Sequence, residues 1–100
     1  MSIKTEIDIE FKRAIEQADE LDELSDRLCR IGSVKMDEAL TLLSGAYKGQ
    51  NATAYIDKTG AIKDRMYDSA EILKRTAAMI RTTATVIYEA EMAAVRLVTG

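Results

Sequence analysis

The sequence lacks proline, tryptophan and histidine altogether, and its 100 residues include one cysteine and five glycines. Because proline is absent and glycine is scarce, the main helix-breaking residues are almost missing, which favours an all-α fold. Without histidine there is no ordinary metal centre, no serine–histidine triad and no imidazole base. Cys29 has no second cysteine to pair with, and its apolar helical neighbours predict a buried, inert thiol.

Long apolar runs and basic stripes are missing as well. No stretch is long enough to predict stable membrane insertion, and the absence of a basic segment followed by an apolar run predicts no Sec-type signal peptide. The net charge of −3, without a basic stripe interleaved with aromatics, gives no support for nucleic-acid binding. Hydrophobic residues make up 47% of the chain, which indicates folding, and the length predicts one domain, residues 1–100.

Apolar residues in the first half recur at steps of mostly four and three, the spacing of one helical face. Thr5 or Asp8 is the expected N-cap, since this pair approximates a capping box. Gly32 and Ser33 interrupt the pattern, but it resumes at Met36, so we expect a continuous helix with a bend or shifted seam near Gly32. The row consists of Ile7, Phe11, Ala14, Ala18, Leu21, Leu24, Leu28 and Ile31, then Met36, Leu40, Leu43 and Tyr47.

The second half carries a longer repeat of the same kind, which is typical of helices that pack at shallow angles. Asn51 or Thr53 is the expected N-cap, and Gly60 is a weak point in the first turns. The row consists of Ile62, Met66, Ala70, Leu73, Ala77, Ile80, Ala84, Ile87, Ala94 and Val98.

These two patterns predict an antiparallel two-helix hairpin, with helices of about residues 6–45 and 52–97, that turns within residues 44–51. Each apolar stripe is wider than one partner helix can cover. We therefore expect dimerisation into a four-helix bundle, as a homodimer or as a heterodimer with a similar small helical protein. The predicted dimer and hairpin seam consists of Leu21, Leu28, Leu40, Leu43, Met66, Leu73, Ile80 and Ile87.

Nothing in the sequence predicts catalysis, and we expect no catalytic residues, no metal site and no cofactor. The acidic patch of Asp19, Glu20, Asp22, Glu23 and Asp26 is interpreted as a solvated helix face, because helical metal sites pair carboxylates with histidine or face them inward. Gly45 and Gly49 do not form a phosphate-binding loop, because no strand precedes them and no Lys-Ser or Lys-Thr pair follows.

The mid-chain turn Tyr47-Lys48-Gly49, placed between two long helices in a chain of this length, resembles the WXG (ESAT-like) family of small type VII secretion substrates. The resemblance covers essentially the whole chain. Tyr47 stands where the family has tryptophan, Gly49 keeps the glycine, and Ala52 and Tyr55 stand where the family tends to show a small residue and an aromatic one. A glycine there can adopt the positive φ that a helix end requires.

The resemblance implies a non-enzymatic protein that is cytoplasmic before export and then leaves the cell by a Sec-independent route. It would be a type VII substrate or a co-secreted targeting partner, and its partners would include a larger type VII effector and the secretion ATPase. The family signal is a tyrosine followed four residues later by an acid; here Tyr88 and Glu91 form a variant with one residue fewer. The alternative is a cytoplasmic structural or adaptor coiled coil without an export role.

Overall fold

A computed structural model of the chain describes residues 2–46 and 50–99, and these residues are almost entirely helical. Helix α1 covers Ile3–Arg30, a π-helical segment covers Ile31–Lys35, helix α2 covers Met36–Ala46, and helix α3 covers Gln50–Thr99. The predicted all-α fold and antiparallel helical hairpin are confirmed. Dimerisation into a bundle and the assignment of residues 1–100 to one domain stay predictions.

The chain divides into two compact units. The terminal unit pairs residues 2–22 with residues 74–99, and the central unit pairs residues 23–46 with residues 50–73. Helix pairing is antiparallel in each unit, because residues later in α1 or α2 contact residues earlier in α3. In the terminal unit Asp8 binds Tyr88 and Asp19 binds Arg81. In the central unit Ser25 binds Ala70 and Asp37 binds Lys63.

The helix starts differ from the prediction. Helix α1 begins at Ile3, and the backbone N–H of Thr5 donates a hydrogen bond to Ser2 Oγ at 3.1 Å. Ser2 is therefore the N-cap, and the assignment to Thr5 or Asp8 is wrong: a serine hydroxyl satisfies a free N–H one turn earlier. Helix α3 begins at Gln50, so Asn51 and Thr53 lie within it and do not cap it.

The helical backbone continues through Gly32 without a break, as predicted. The path widens there into the π-helical segment, in which the backbone N–H of Met36 donates to the carbonyl of Ile31, five residues earlier. A π turn inserts one extra residue per turn. The apolar repeat therefore shifts its phase between Leu28 and Met36, which is the shifted seam that the sequence indicates.

Candidate interaction surfaces

The inner seam of the hairpin is built mainly from small residues. Ala18 and Ala77 have no exposed surface, Ala70 and Ser25 are about as deeply buried, and Gly32 is buried as well. Among the large hydrophobic side chains of the described ranges, Ile7 and Met92 are buried. Small seam residues let the two backbones approach closely, but they remove little apolar surface from water.

Most of the predicted seam residues lie at the edges of this inner seam. Ile87 is 50% exposed, so it is not buried between the two helices. The side chain of Leu43 lies outside the described part of the chain. The other six are half-buried: Leu21, Leu28, Leu40, Met66, Leu73 and Ile80.

The seam of α1 follows a different row from the predicted one after Leu21. Leu24 and Ile31 are exposed, whereas Ser25 and Gly32 are buried. The buried row keeps an unbroken alternation of four-residue and three-residue steps through Ser25 and Gly32. Hydrophobicity alone favours the neighbouring Leu24 and Ile31, because serine and glycine are not typical core residues. Continuing the four-three spacing strictly would have identified Ser25 and Gly32.

In α3 the seam also departs from the predicted row towards the C-terminus. Tyr88, Met92 and Val95 face the partner helix, while Ala94 and Val98 are exposed. At the other end Ile62 is exposed and Lys63 is half-buried. An aromatic residue, Tyr88, thus joins the seam towards the C-terminus of α3, and a lysine, Lys63, joins it towards the other end.

Ser25 provides the one buried polar side chain recorded in the described helices. Its hydroxyl donates a hydrogen bond of 2.7 Å to the backbone carbonyl of Ala70 in α3. A buried hydroxyl without a partner would be costly, so this bond is what makes a serine acceptable in the seam. It also fixes the register of α1 against α3 in the central unit.

Gly32 lies in the π-helical segment against two side chains of α3. A Cβ at this position would lie 3.6 Å from Tyr67 Cζ and 3.7 Å from Met66 Cβ, which is ordinary van der Waals distance. An alanine therefore fits, but a longer side chain would meet Tyr67 and Met66. The central unit is closely packed at this point.

Tyr88, half of the predicted variant export signal, takes part in the pairing of the terminal unit. Its ring packs on Phe11 with the ring centroids 4.7 Å apart, and its hydroxyl donates to Asp8 Oδ1 at 3.0 Å. The hydrogen bond to Asp8 raises the pKa of Tyr88, and the negative charge of Asp8 and partial burial act in the same direction. Glu91 is half-buried one turn further on.

Part of the acidic patch is paired and is not merely a solvated face, which corrects the sequence interpretation. Arg81 of α3 donates to Asp19 Oδ1 at 2.7 Å and to Asp22 Oδ2 at 2.5 Å. The hydrogen bond to Asp19 raises the pKa of Arg81 most, and the hydrogen bond to Asp22 raises it further, so the guanidinium stays charged. The residue types alone could not show this, because the match depends on the register of the two helices.

A second cross-helix ion pair joins Lys63 of α3 to Asp37 of α2 in the central unit. The hydrogen bond to Asp37 raises the pKa of Lys63 against the opposing effect of desolvation. Pairs as exposed as these contribute little stability each. They select one register among the shifts that a seam of alanines would otherwise tolerate.

The terminal unit also contains an open apolar groove of about 840 Å³ between the start of α1 and the end of α3. Ile3 and Ile7 line one side, and Val95 and Val98 line the other, with Glu6 among the polar residues of the lining. The polar residues of the lining are Ser2, Lys4, Glu6, Glu10, Glu91 and Thr99.

Large hydrophobic side chains cover the outside of the hairpin. Several are mostly exposed, with Leu97 and Val98 each at 87%. Contiguous exposed apolar patches mark interaction sites, whereas hydrophobic residues that are exposed singly are common. The exposed set in the described ranges comprises Ile3, Ile9, Leu24, Ile31, Val34, Leu42, Tyr55, Ile62, Ile72, Met79, Val86, Ile87, Leu97 and Val98.

The predicted turn motif, Tyr47 and Gly49, lies outside the described residues. Cys29 is a half-buried free thiol and not a fully buried one. Across residues 2–46 and 50–99, no group of three acidic, cysteine or histidine side chains is arranged to hold a metal ion. None of the helices there has an apolar stretch able to cross a membrane.

Comparison with known proteins identified no relative of the chain. The chain matches no protein-family model, no curated protein and no solved structure.

Proposed function

We propose that this chain is a non-enzymatic WXG-like (ESAT-like) protein, either a type VII secretion substrate or a co-secreted targeting partner, that acts by dimerising into a helical bundle. The observation that carries the proposal is the contrast between the two sides of the hairpin. The most deeply buried positions of the inner seam are alanine and serine, while large hydrophobic side chains such as Leu97 and Val98 are mostly exposed.

The physical reason is the distribution of apolar surface. Burying a leucine, isoleucine or methionine side chain contributes roughly 1.5–3 kcal/mol, whereas an alanine contributes far less. A hairpin whose most deeply buried positions are alanines therefore leaves large apolar side chains exposed to water. A second hairpin that covers these side chains would remove them from water, and the product is a four-helix bundle.

The export part of the proposal is supported by the resemblance of Tyr47-Lys48-Gly49 to the family turn. In this proposal the protein resides in the cytoplasm before export, pairs with a similar small helical protein, and accompanies a larger effector to the secretion ATPase. Tyr88 and Glu91 would act as the variant signal.

Export is tested by measuring the protein in the culture supernatant of cells with and without the secretion ATPase. We expect its level to fall when the ATPase is removed, and an unchanged level would overturn the export proposal. Tyr47→Ala is expected to reduce export more than it reduces stability. Ile62→Ala is the matched control, because it removes an exposed large side chain that lies outside the turn motif.

The contacts of Tyr88 favour a second candidate, a cytoplasmic structural or adaptor coiled coil. Its hydroxyl and its ring are both engaged within the terminal unit, by Asp8 and Phe11, so a pairing role accounts for this tyrosine without export. Tyr88→Phe tests the role of this tyrosine: lower stability with no change in the supernatant level favours a pairing role, and a wild-type chain that never reaches the supernatant favours the coiled coil. Loss of export with an intact fold favours a signal.

A further inference from the structure

A second heptad row runs along α3 on the side away from the inner seam. Its members alternate in steps of four and three over Gln50–Thr99, which is one uninterrupted helix. None carries a charge, and every one is exposed, with Met79 at 69%. We name this row the outer face; it consists of Ile72, Thr76, Met79, Thr83, Val86, Ala90, Ala93 and Leu97.

An uncharged, exposed heptad row is the pattern of a helix that packs against another helix. The inner-seam residues Ala77, Ala84 and Tyr88 lie on the opposite side of α3, where α1 covers them within the terminal unit. The outer face is therefore not explained by the hairpin itself.

The charges beside the outer face indicate a partner for it. Every seventh residue along one flank forms the series Asp68, Arg75, Thr82, Glu89 and Arg96, and all five are exposed. Read backwards, the series becomes Arg, Glu, Thr, Arg and Asp. Each acidic position thus meets a basic one when the row is laid antiparallel on a copy of itself, with Thr82 at the centre.

We propose that the outer face binds the outer face of a second copy of this chain, antiparallel, about a two-fold axis near Thr82. Arg75 then faces Glu89 of the second copy, and by symmetry Glu89 faces its Arg75; Asp68 and Arg96 pair in the same way. Such flanking charges set partner choice and orientation in coiled coils. This inference rests on the dimerisation in the proposed function and specifies the partner and the face.

A parallel arrangement lacks this complementarity. The residues that would face Arg75 and Glu89 across a parallel pair come from the other flank, where Ile80 and Ile87 lie. Charged side chains would then meet aliphatic ones. Ile87, which is half exposed in the single chain, borders the outer face and widens it in the antiparallel dimer.

The first test is the oligomeric state of the purified full chain by sedimentation velocity, with helicity followed by circular dichroism. We expect a dimer that Val86→Asp converts to a monomer of unchanged helicity, because Val86 is on the outer face. Thr85→Asp is the matched control: it changes the adjacent exposed β-branched residue, off the row, and should leave the dimer intact. A monomeric wild-type chain, or a dimer that persists in Val86→Asp, overturns the proposal.

Orientation is tested by cross-linking with a short bismaleimide in a Cys29→Ser background. Thr82→Cys should cross-link to its copy, because residue 82 lies at the two-fold axis. Arg96→Cys should not, because its two copies would lie roughly 40 Å apart at 1.5 Å of rise per residue. If both cysteine variants cross-link equally, the helices pair in parallel. If neither variant cross-links, the copies associate through another surface. Either result overturns the proposal.

Charge exchange tests the flank. Arg75→Glu and Glu89→Arg should each weaken self-association about tenfold, since each replaces two attractive pairs with two repulsive ones. A mixture of the two variants should restore a dimer with one chain of each kind. Failure of the mixture to restore association overturns the assigned pairing.

These results separate the inference from the proposed function. A monomer that is still exported in an ATPase-dependent way refutes the inference and leaves the export proposal standing. A dimer with these properties that shows no ATPase-dependent export refutes the export proposal and leaves the inference standing.

Discussion

Both units of the hairpin have small residues in the buried seam, but the contacts beside the seam differ between them. In the terminal unit, Arg81 joins Asp19 and Asp22, and Tyr88 joins Asp8 and Phe11. In the central unit Lys63 joins Asp37, a serine hydroxyl donates to a backbone carbonyl, and a glycine lies against two side chains. Pairs of long side chains fix how one helix is shifted along the other. Small residues fix how closely the two helix backbones can approach.

The difference shows what each unit would lose by mutation. Charged and aromatic contacts at the edge of a seam are partly exposed, and water replaces them at low cost. Small residues in the seam cannot be replaced by long side chains without moving a helix, although Gly32 has room for one methyl group. We therefore expect the alanine and glycine positions to be the most sensitive and the hydrogen-bonded positions to be less so.

The largest effect is expected at the alanine seam of the terminal unit. Ala77→Asp places a charge at a position with no exposed surface and should lower the free energy of unfolding by about 3 kcal/mol or more. Ala78→Asp is the matched control, because Ala78 is the exposed neighbour; its cost should be about 0.7 kcal/mol, from helix propensity alone. Urea denaturation followed by circular dichroism, at one fixed protein concentration, measures both. Equal losses would refute the seam assignment.

The helices themselves could be predicted because their determinants are local. Apolar spacing and the absence of proline extend over dozens of residues, so α1, α2 and α3 follow from the sequence to within a few residues. The seam could be predicted only in part. Ser25 and Gly32 have no hydrophobic signal, and their place becomes evident only when α3 lies against them.

The charged contacts could not be predicted for a related reason. Asp19 and Asp22 resemble any solvated acidic residues until the register brings Arg81, about sixty positions later, opposite them. A single shift of one helix turn would leave the same residues unpaired. Side-chain pairs of this kind are a consequence of the fold and not a pattern in the sequence.

The second-largest effect is expected at Gly32 in the central unit. Gly32→Leu should lower the free energy of unfolding by roughly 1–3 kcal/mol, because the added atoms meet Tyr67 and Met66. Gly32→Ala fits at van der Waals distance and should raise stability by up to about 1 kcal/mol through helix propensity. Thermal and urea unfolding of the two variants measure the contrast. Leucine tolerated as well as alanine would mean that the helices are not close at this point.

A smaller effect, confined to the terminal unit, is expected from Tyr88→Phe. The folded pKa of Tyr88 is raised above its ordinary value of 10.0, chiefly by the hydrogen bond to Asp8. This contribution to stability is therefore complete below pH 10 and is lost as the pH rises through the raised value. Tyr88→Phe should be less stable than wild type at neutral pH, and the difference should shrink at alkaline pH.

Lys63 in the central unit also contributes stability that is lost at alkaline pH. The hydrogen bond to Asp37 raises its pKa above the ordinary 10.5, so the variant should still lose some stability at alkaline pH. A Tyr88→Phe variant whose difference from wild type is the same at pH 7 and above pH 10 would show that the hydroxyl does not bind Asp8 in solution.

The smallest effect is expected at Ser25, where the central unit has its buried hydrogen bond. Ser25→Ala removes a donor from the carbonyl of Ala70 but leaves no polar atom of its own unpaired, so the loss is limited to the net value of one hydrogen bond. Because serine-to-alanine changes also improve helix propensity, the control is Ser33→Ala, whose hydroxyl makes only a long contact of 3.4 Å to Arg30. Relative to that control, Ser25→Ala should be less stable by about 0.5–1 kcal/mol. No difference between the two would mean that close packing of the small residues, and not the hydroxyl, holds the central unit together.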